Sequence, residues 1–147
     1  MILSLGKVSL TAFLVLSAVQ PPPITLQGDY RFETMDRDAN GRPVCTEVWS
    51  FGANGQMTVT SGQEVVTKRF RTEIDDDGRW MVSESLTTNG LADCMGNTSD
   101  GVTSGERRTY LMRRNNGSIV VCGPPDRMAD GILFVGPTCY GEIYPDG

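Results

Sequence analysis

Residues 47–70 read EVWSFGANGQMTVTSGQEVVTKRF and contain three short segments in which apolar and polar side chains alternate. Alternation with a period of two is typical of a strand with one buried and one solvated face. The segments are separated by Asn54-Gly55 and by Gly62-Gln63, where glycine lets the backbone turn through positive φ at little cost. The stretch therefore predicts three consecutive antiparallel strands joined by tight turns.

The lengths of these turns predict which residues face each other. A three-residue loop at 53–55 pairs Trp49 with Val59, and a two-residue turn at 62–63 pairs Val59 with Val66. Both choices keep apolar side chains on one face, whereas a slip of one residue would send them to the other face.

A further Asp-Gly turn predicts the next hairpin. The same three-residue loop at 76–78 pairs Ile74 with Trp80 and Phe70 with Glu84. Four strands then share one inner face. The predicted inner residues are Glu47, Trp49, Phe51, Met57, Val59, Val66, Lys68, Phe70, Thr72, Ile74, Trp80, Val82, Glu84 and Leu86.

Four more segments of strand character complete the pattern, at 29–35, 107–112, 118–122 and 132–135. Eight sequential strands with one apolar face close most simply on themselves, because closure leaves no exposed edge. The sequence therefore predicts an all-β fold, a single eight-stranded antiparallel up-and-down β-barrel. A two-sheet β-sandwich is the alternative architecture.

The segment LQGDYRF, which ends at Phe32, resembles the opening of lipocalin-like (calycin-type) barrels, where a Gly-x-Trp stands at the first strand. Tyr30 replaces the expected tryptophan after Gly28, and no later family motif is clearly matched. The resemblance implies a lipocalin-like fold and, by analogy, a ligand cup.

The N-terminal segment has the layout of a cleaved secretory signal. One charge, Lys7, precedes an apolar run from 8 to 16 that is too short to span a bilayer. We expect residues 1–20 to be a signal peptide, 21–27 a proline-rich extended arm and 28–147 the barrel domain. This organisation predicts a secreted or periplasmic protein with no membrane span in the mature chain.

Removal of residues 1–20 takes away Lys7 and no acidic residue, which leaves 12 basic against 18 acidic side chains. An acidic exported chain of this kind is a poor candidate for binding nucleic acid.

The chain has no C-x-x-C pair and no histidine to accompany its cysteines. The four cysteines are widely spaced, at Cys45, Cys94, Cys122 and Cys139. In an exported chain this predicts two disulfides rather than a zinc site. Three pairings are open. We favour Cys45 with Cys94 and Cys122 with Cys139, since the second pair closes the shortest loop available to its members.

The segment DRDANGRPVCTE, residues 36–47, matches the order of ligand types in an EF-hand calcium loop. Its flanks have strand character, and Pro43 has no N–H to bridge to a partner loop. The segment is therefore interpreted as a polar connection between the first two strands. A weak calcium site at Asp36, Asp38 and Asn40 is the alternative.

The chain contains no histidine, which excludes Ser-His-Asp and Cys-His catalysis and the usual histidine metal sites. The two predicted inward carboxylates, Glu47 and Glu84, are the residue type that glycoside hydrolysis uses, but no motif fixes the distance between them. We expect a non-enzymatic protein without cofactors.

Lys68, the one lysine beyond residue 20, is predicted to point inward, diagonal to Glu84. The pair is either an ion pair that satisfies itself or a polar anchor in an apolar cup. In the second case the ligand-binding residues are Trp49, Phe51, Lys68, Phe70, Trp80 and Glu84. Arg107 is predicted to lie on the outer surface, in a solvated basic cluster.

Two functions of different classes follow. The first is an exported carrier of a small apolar or amphipathic ligand. The second is a protein-interaction or inhibitor module with a filled core, whose partner protein is bound by its loops or its N-terminal arm. The segment from Thr87 to Gly105, which has no strand signal, is the candidate lid or partner surface.

Overall fold

The computed structural model of the chain describes residues 22–134 and 138–146. It is a closed antiparallel barrel in which the first strand pairs with both the second and the last. The strands are β1 (Gly28–Thr34), β2 (Thr46–Phe51), β3 (Gln56–Ser61), β4 (Glu64–Asp75), β5 (Gly78–Thr88), β6 (Glu106–Arg113), β7 (Ile119–Cys122), β8 (Asp126–Arg127), β9 (Leu133–Phe134) and β10 (Cys139–Pro145). The barrel order is β1-β10-β7-β6-β5-β4-β3-β2, and β8 and β9 form a separate hairpin. The predicted fold class is confirmed, and the sandwich is excluded.

The first two turns have the predicted lengths. Trp49 pairs with Val59, and Val59 pairs with Val66. Gly55 and Gly62 take positive φ, at 76° and 58°, as tight turns of this kind require. The inner face of β2, β3 and β4 therefore follows from the sequence alone.

The predicted register of the third hairpin is wrong by one residue. Asp75 pairs with Gly78, so the turn has two residues and Trp80 pairs with Glu73. The Asp75 carboxylate accepts the N–H groups of Asp77 and Gly78 at 3.0 and 3.1 Å, which stabilises the shorter turn.

The slip transfers the predicted inner residues of β5, among them Trp80, Val82 and Glu84, to the outer face of the barrel. Met81 and Ser83 point inward in their place. Leu86 falls at a register shift between the Thr67 and Lys68 pairings and is more than one-third exposed.

Trp80 is buried although it lies outside the barrel. Its ring meets Tyr110 edge to face at 5.0 Å, the Arg108 guanidinium lies 4.1 Å from its centroid, and its N–H donates to Asp75 at 2.8 Å. Tyr110 in turn donates to the Asp77 carbonyl. Because Trp80, Met81 and Val82 are all buried, this part of β5 carries no period-two signal.

The interior at the end where β1 begins is filled by the protein's own side chains. The buried cluster comprises Ile24, Leu26, Tyr30, Phe32, Trp49, Phe51, Met57, Val59, Met81, Leu111, Ile119, Val121 and Ile143. Ile24 and Leu26 come from the segment preceding β1, and Arg79 donates to the Pro22 carbonyl at 2.8 Å. Two side chains of the predicted proline-rich extended arm, Ile24 and Leu26, therefore pack into the core, while its other described residues are exposed.

The predicted position of the eighth barrel strand, 132–135, is wrong. The strand that closes the barrel is β10, which pairs with β1 and β7, whereas Leu133 and Phe134 belong to the small β8–β9 hairpin. Glycine at 141 weakens the strand signal, yet it is needed there because the Phe32 ring occupies the space of a Cβ.

The predicted signal peptide, residues 1–20, lies outside the described residues. Within the described part of the chain, no helix is long and apolar enough to cross a membrane.

Two disulfides are present, Cys45–Cys94 and Cys122–Cys139, so the favoured pairing is confirmed. The first joins the start of β2 to the loop 89–105. The Ala92 carbonyl of that loop also accepts hydrogen bonds from the backbone N–H groups of Gln63 and Glu64, at 2.9 and 3.0 Å. The loop is thereby docked against the β3–β4 turn.

Replacing Cys45 and Cys94 with alanine together should lower the free energy of unfolding by about 4 kcal/mol, because this bridge closes a loop of 49 residues. The matched removal of Cys122–Cys139, which spans 17 residues, should cost about 3 kcal/mol. Denaturant unfolding of the two double variants measures both values. A larger loss for the second bridge would contradict the chain-entropy explanation.

Gly62 is predicted to be irreplaceable for the docking of this loop. A Cβ there would lie 2.7 Å from the Asp93 carbonyl carbon, which is backbone and cannot rotate away. Gly41 is the control, since it also has positive φ but a Cβ added to it would meet no atom within 4 Å. We expect Gly41→Ala to cost about 1–2 kcal/mol from backbone strain alone. Gly62→Ala should cost at least about 1 kcal/mol more from overpacking, as measured by denaturant unfolding; equal losses would show that the loop is not held against Gly62.

Candidate functional site

A cavity of about 400 Å³ occupies the end of the barrel opposite Ile24 and Leu26. It reaches from Trp49 and Met81 to Cys94 of the docked loop. A second recess, of about 450 Å³, lies beside the 99–105 segment and shares Lys68 and Arg107 with the first. Both volumes lie in the range of small-molecule sites. The barrel therefore has one filled end and one hollow end.

The wall of the cavity includes a fixed aromatic pair. The rings of Phe32 and Trp49 are stacked, with centroids 5.0 Å apart and planes 4° from parallel. The indole N–H of Trp49 donates to Glu47 at 2.7 Å. The stack and the hydrogen bond together hold the indole in one orientation at the cavity wall.

Of the six predicted ligand-binding residues, only Trp49 and Lys68 line this cavity. Phe51 and Phe70 pack against each other, with centroids 5.0 Å apart, as part of the core or against it. Trp80 lies on the outside of the barrel. Glu84 also faces outward.

The predicted pairing of Lys68 with Glu84 is wrong. Glu84 pairs with Arg69 at 2.6 Å on the outer face. The acidic groups near Lys68 are instead Glu47 and Glu64. The error has the same origin as that of Trp80, because it depends on the register of β5.

Burial lowers the pKa of Lys68, and the positive charge of Arg107 lowers it further. Glu47 and Glu64 act in the opposite direction to a smaller extent. Both carboxylates are already engaged by other donors. Glu64 accepts the hydroxyls of Thr88 and Ser99 at 3.1 and 3.0 Å, and Glu47 accepts the Trp49 indole.

Arg107 is the main residue of the site that sequence reasoning missed. Arg107 is exposed, as predicted, but the predicted face is wrong, since it pairs with the inward Ser83 and lines both recesses. Its guanidinium lies 5.9 Å from the ring centroid of Tyr140. The signal that would have found Arg107 is the correct register of β5, since the face of β6 follows from it.

The segment 36–47 connects β1 and β2 as predicted. The Asp38 carboxylate accepts the backbone N–H groups of Asn40 and Arg42 at 2.8 and 2.9 Å, which closes the turn. The weak calcium site at Asp36, Asp38 and Asn40 stays a prediction. Cys45, Glu47 and Cys94 also lie close together, but the two sulfurs form a disulfide and are not thiolate ligands.

No family model matches the chain, and comparisons with curated proteins and with solved structures likewise find no significant match. The function of the site must therefore be argued from its own residues.

Lys68 should reduce the stability of the folded protein at neutral pH. Its pKa is lower in the folded than in the unfolded state, so folding opposes the protonated form. The free energy of unfolding should accordingly rise as the pH increases from the folded pKa of Lys68 toward the ordinary lysine value of about 10.4.

Comparison with Lys68→Met measures this effect. The variant should be more stable than the parent at pH 7, and its advantage should shrink through the alkaline range. Both proteins are compared in a Tyr140→Phe background, because Tyr140 is the one phenol among the residues that line the cavity. Carboxylates and guanidinium groups keep their charge in the alkaline range. A stability difference that stays constant with pH would show that the Lys68 charge is not the cause.

Proposed function

We propose that this protein is a non-enzymatic carrier that binds a small amphipathic molecule in the hollow end of its barrel. The observation that carries the proposal is the cavity of about 400 Å³, which combines apolar walls with a lysine that faces it. The lining is about equally polar and apolar, which suits a ligand with both a polar and an apolar part.

The lipocalin-like resemblance supports the proposal, since the closed eight-stranded barrel and the hollow end fit that architecture. Eight strands leave an interior just wide enough either to be filled by side chains or to hold one small ligand. This barrel combines the two, because Ile24 and Leu26 of the N-terminal segment help to fill one end.

Two disulfides favour an oxidising compartment. We propose that the protein is secreted or periplasmic and binds its ligand there.

A protein-interaction or inhibitor module is the second candidate function. Met128, Ile132 and Phe134, on and beside the β8–β9 hairpin, are each about half exposed or more. Clustered exposed apolar side chains are typical of contact surfaces. A specific partner captured through this hairpin, with no ligand found in the barrel, would favour this function over the carrier.

The two tryptophans provide the test of the carrier function, because Trp49 lines the cavity and Trp80 lies outside the barrel. Titration with an uncharged apolar probe such as decanol should change the tryptophan fluorescence of the parent protein. The change should persist in Trp80→Phe and disappear in Trp49→Phe.

Circular dichroism of both variants confirms that they are folded. A change that follows Trp80 would locate the probe on the outer face. No change in any of the three proteins with decanol or with charged probes of the same chain, together with no binding by calorimetry, would overturn the carrier proposal.

A further inference from the structure

We infer that the ligand of this cavity is an anionic amphiphile whose charged headgroup is bound by Lys68 and Arg107. This inference rests on the carrier function proposed above and specifies the chemical class of the ligand.

The first observation is that two cations face one cavity. Lys68 on β4 and Arg107 on β6 line both recesses, with the strand β5 between them. Ser83 of β5, which pairs with Arg107 and with Phe70, lies on the same inner face. The cations are close enough for their charges to repel, since Arg107 opposes protonation of Lys68.

The second observation is that neither cation has an ion pair within the described residues. The ion pairs of this part of the chain involve Arg31, Arg37, Arg69, Arg71, Arg108, Arg114 and Arg127. The contrast with the outer face is informative. Arg71 there binds Glu73 at 2.7 Å and also pairs with Glu106, so acids were available within the fold to neutralise cations.

The third observation is that the two acids nearest to Lys68 are committed elsewhere. Glu47 accepts the Trp49 indole, and Glu64 accepts two hydroxyls. Their carboxylates keep their negative charge and favour the protonated form of Lys68, but neither forms a salt bridge to it. Lys68 is partly buried and has no ion-pair partner within the described residues, which costs stability, whereas Arg107 is exposed at the mouth of the cavity. An oxyanion between them would remove that cost.

The fourth observation is the apolar surface next to the cations. Val66, Met81 and the Phe32–Trp49 stack line the same cavity. A free inorganic anion would leave this surface in contact with water. A headgroup attached to an apolar chain covers the cations and the apolar wall together, because charge-assisted hydrogen bonds and apolar burial then act on one molecule.

The test compares three probes with the same chain and different headgroups: decanoate, decanol and decylamine. Binding is measured by calorimetry at pH 7 on the parent protein, on Lys68→Met and on Arg107→Met. The control is Arg69→Met, which removes a positive charge from the neighbouring residue on the outer face. Decyl sulfate, as a fourth probe, distinguishes a carboxylate preference from a general oxyanion preference.

We expect decanoate to bind at least about tenfold more tightly than decanol, as a charged hydrogen bond to the headgroup would provide. Decylamine should bind least. Lys68→Met and Arg107→Met should each lower the decanoate affinity about tenfold, with less than about a twofold effect on decanol. Arg69→Met should leave both unchanged.

A second measurement follows the protonation of Lys68 directly in the parent protein. Lys68 is the one lysine beyond residue 20, so reductive methylation with a ¹³C label gives it a distinct signal, which its absence in Lys68→Met assigns. Addition of decanoate should raise the pKa reported by this signal, because a nearby anion favours the charged amine.

The outcomes separate the two proposals. Equal binding of all three probes, or an unchanged Lys68 signal in the presence of bound decanoate, would overturn the anion inference and leave the carrier function standing. No binding of any probe would overturn both. Loss of decanoate and decanol binding together in Lys68→Met would show that the lysine shapes the cavity rather than selecting the headgroup.

Discussion

The pairing of each strand in a fixed register is the constraint on which this protein depends. Successive side chains of a strand point to opposite faces, so a register change of one residue exchanges the inside of the barrel for the outside. The turn between β4 and β5 shows how much follows from one such choice. Asp75 pairs with Gly78 there, which places Trp80 and Glu84 outside and directs Arg107 of the next strand into the cavity.

The same register explains why the two ends of the barrel differ. At one end, large inward side chains, together with Ile24 and Leu26 of the N-terminal segment, fill the interior. At the other end, the inward positions of β5 and β6 carry small or charged residues, among them Ser83 and Arg107, which do not close the space. The buried apolar contacts are therefore concentrated at the filled end, and the other end keeps a cavity. Half-buried charge at the hollow end reduces stability, a common feature of functional sites.

The outer face shows a different use of charge. Arg69 forms an ion pair with an acid on the neighbouring strand β5, and Arg71 and Arg108 form ion pairs that span β5 and link β4 to β6. These side chains are exposed, and ion pairs of this kind contribute little to stability. Arg108 has a further role, because its guanidinium lies over the ring of the buried Trp80 and covers it. The inward cations lack such partners within the described residues, and this difference between the two faces is what points to a ligand.

The sequence by itself determined the all-β class, the closed barrel and the inner face of β2 to β4, and it favoured the disulfide pairing that the structure has. These features can be predicted because alternation, turn glycines and cysteine spacing are read directly from the sequence without knowledge of contacts between distant strands. Lys68 was found in this way. Only the tertiary structure decided the face of β5, since three consecutive buried residues from Trp80 to Val82 pack on both sides of the sheet and erase the alternation. It also decided the strand that closes the barrel and the meeting of Lys68 with Arg107, because contacts between distant strands depend on registers that no short stretch of sequence contains.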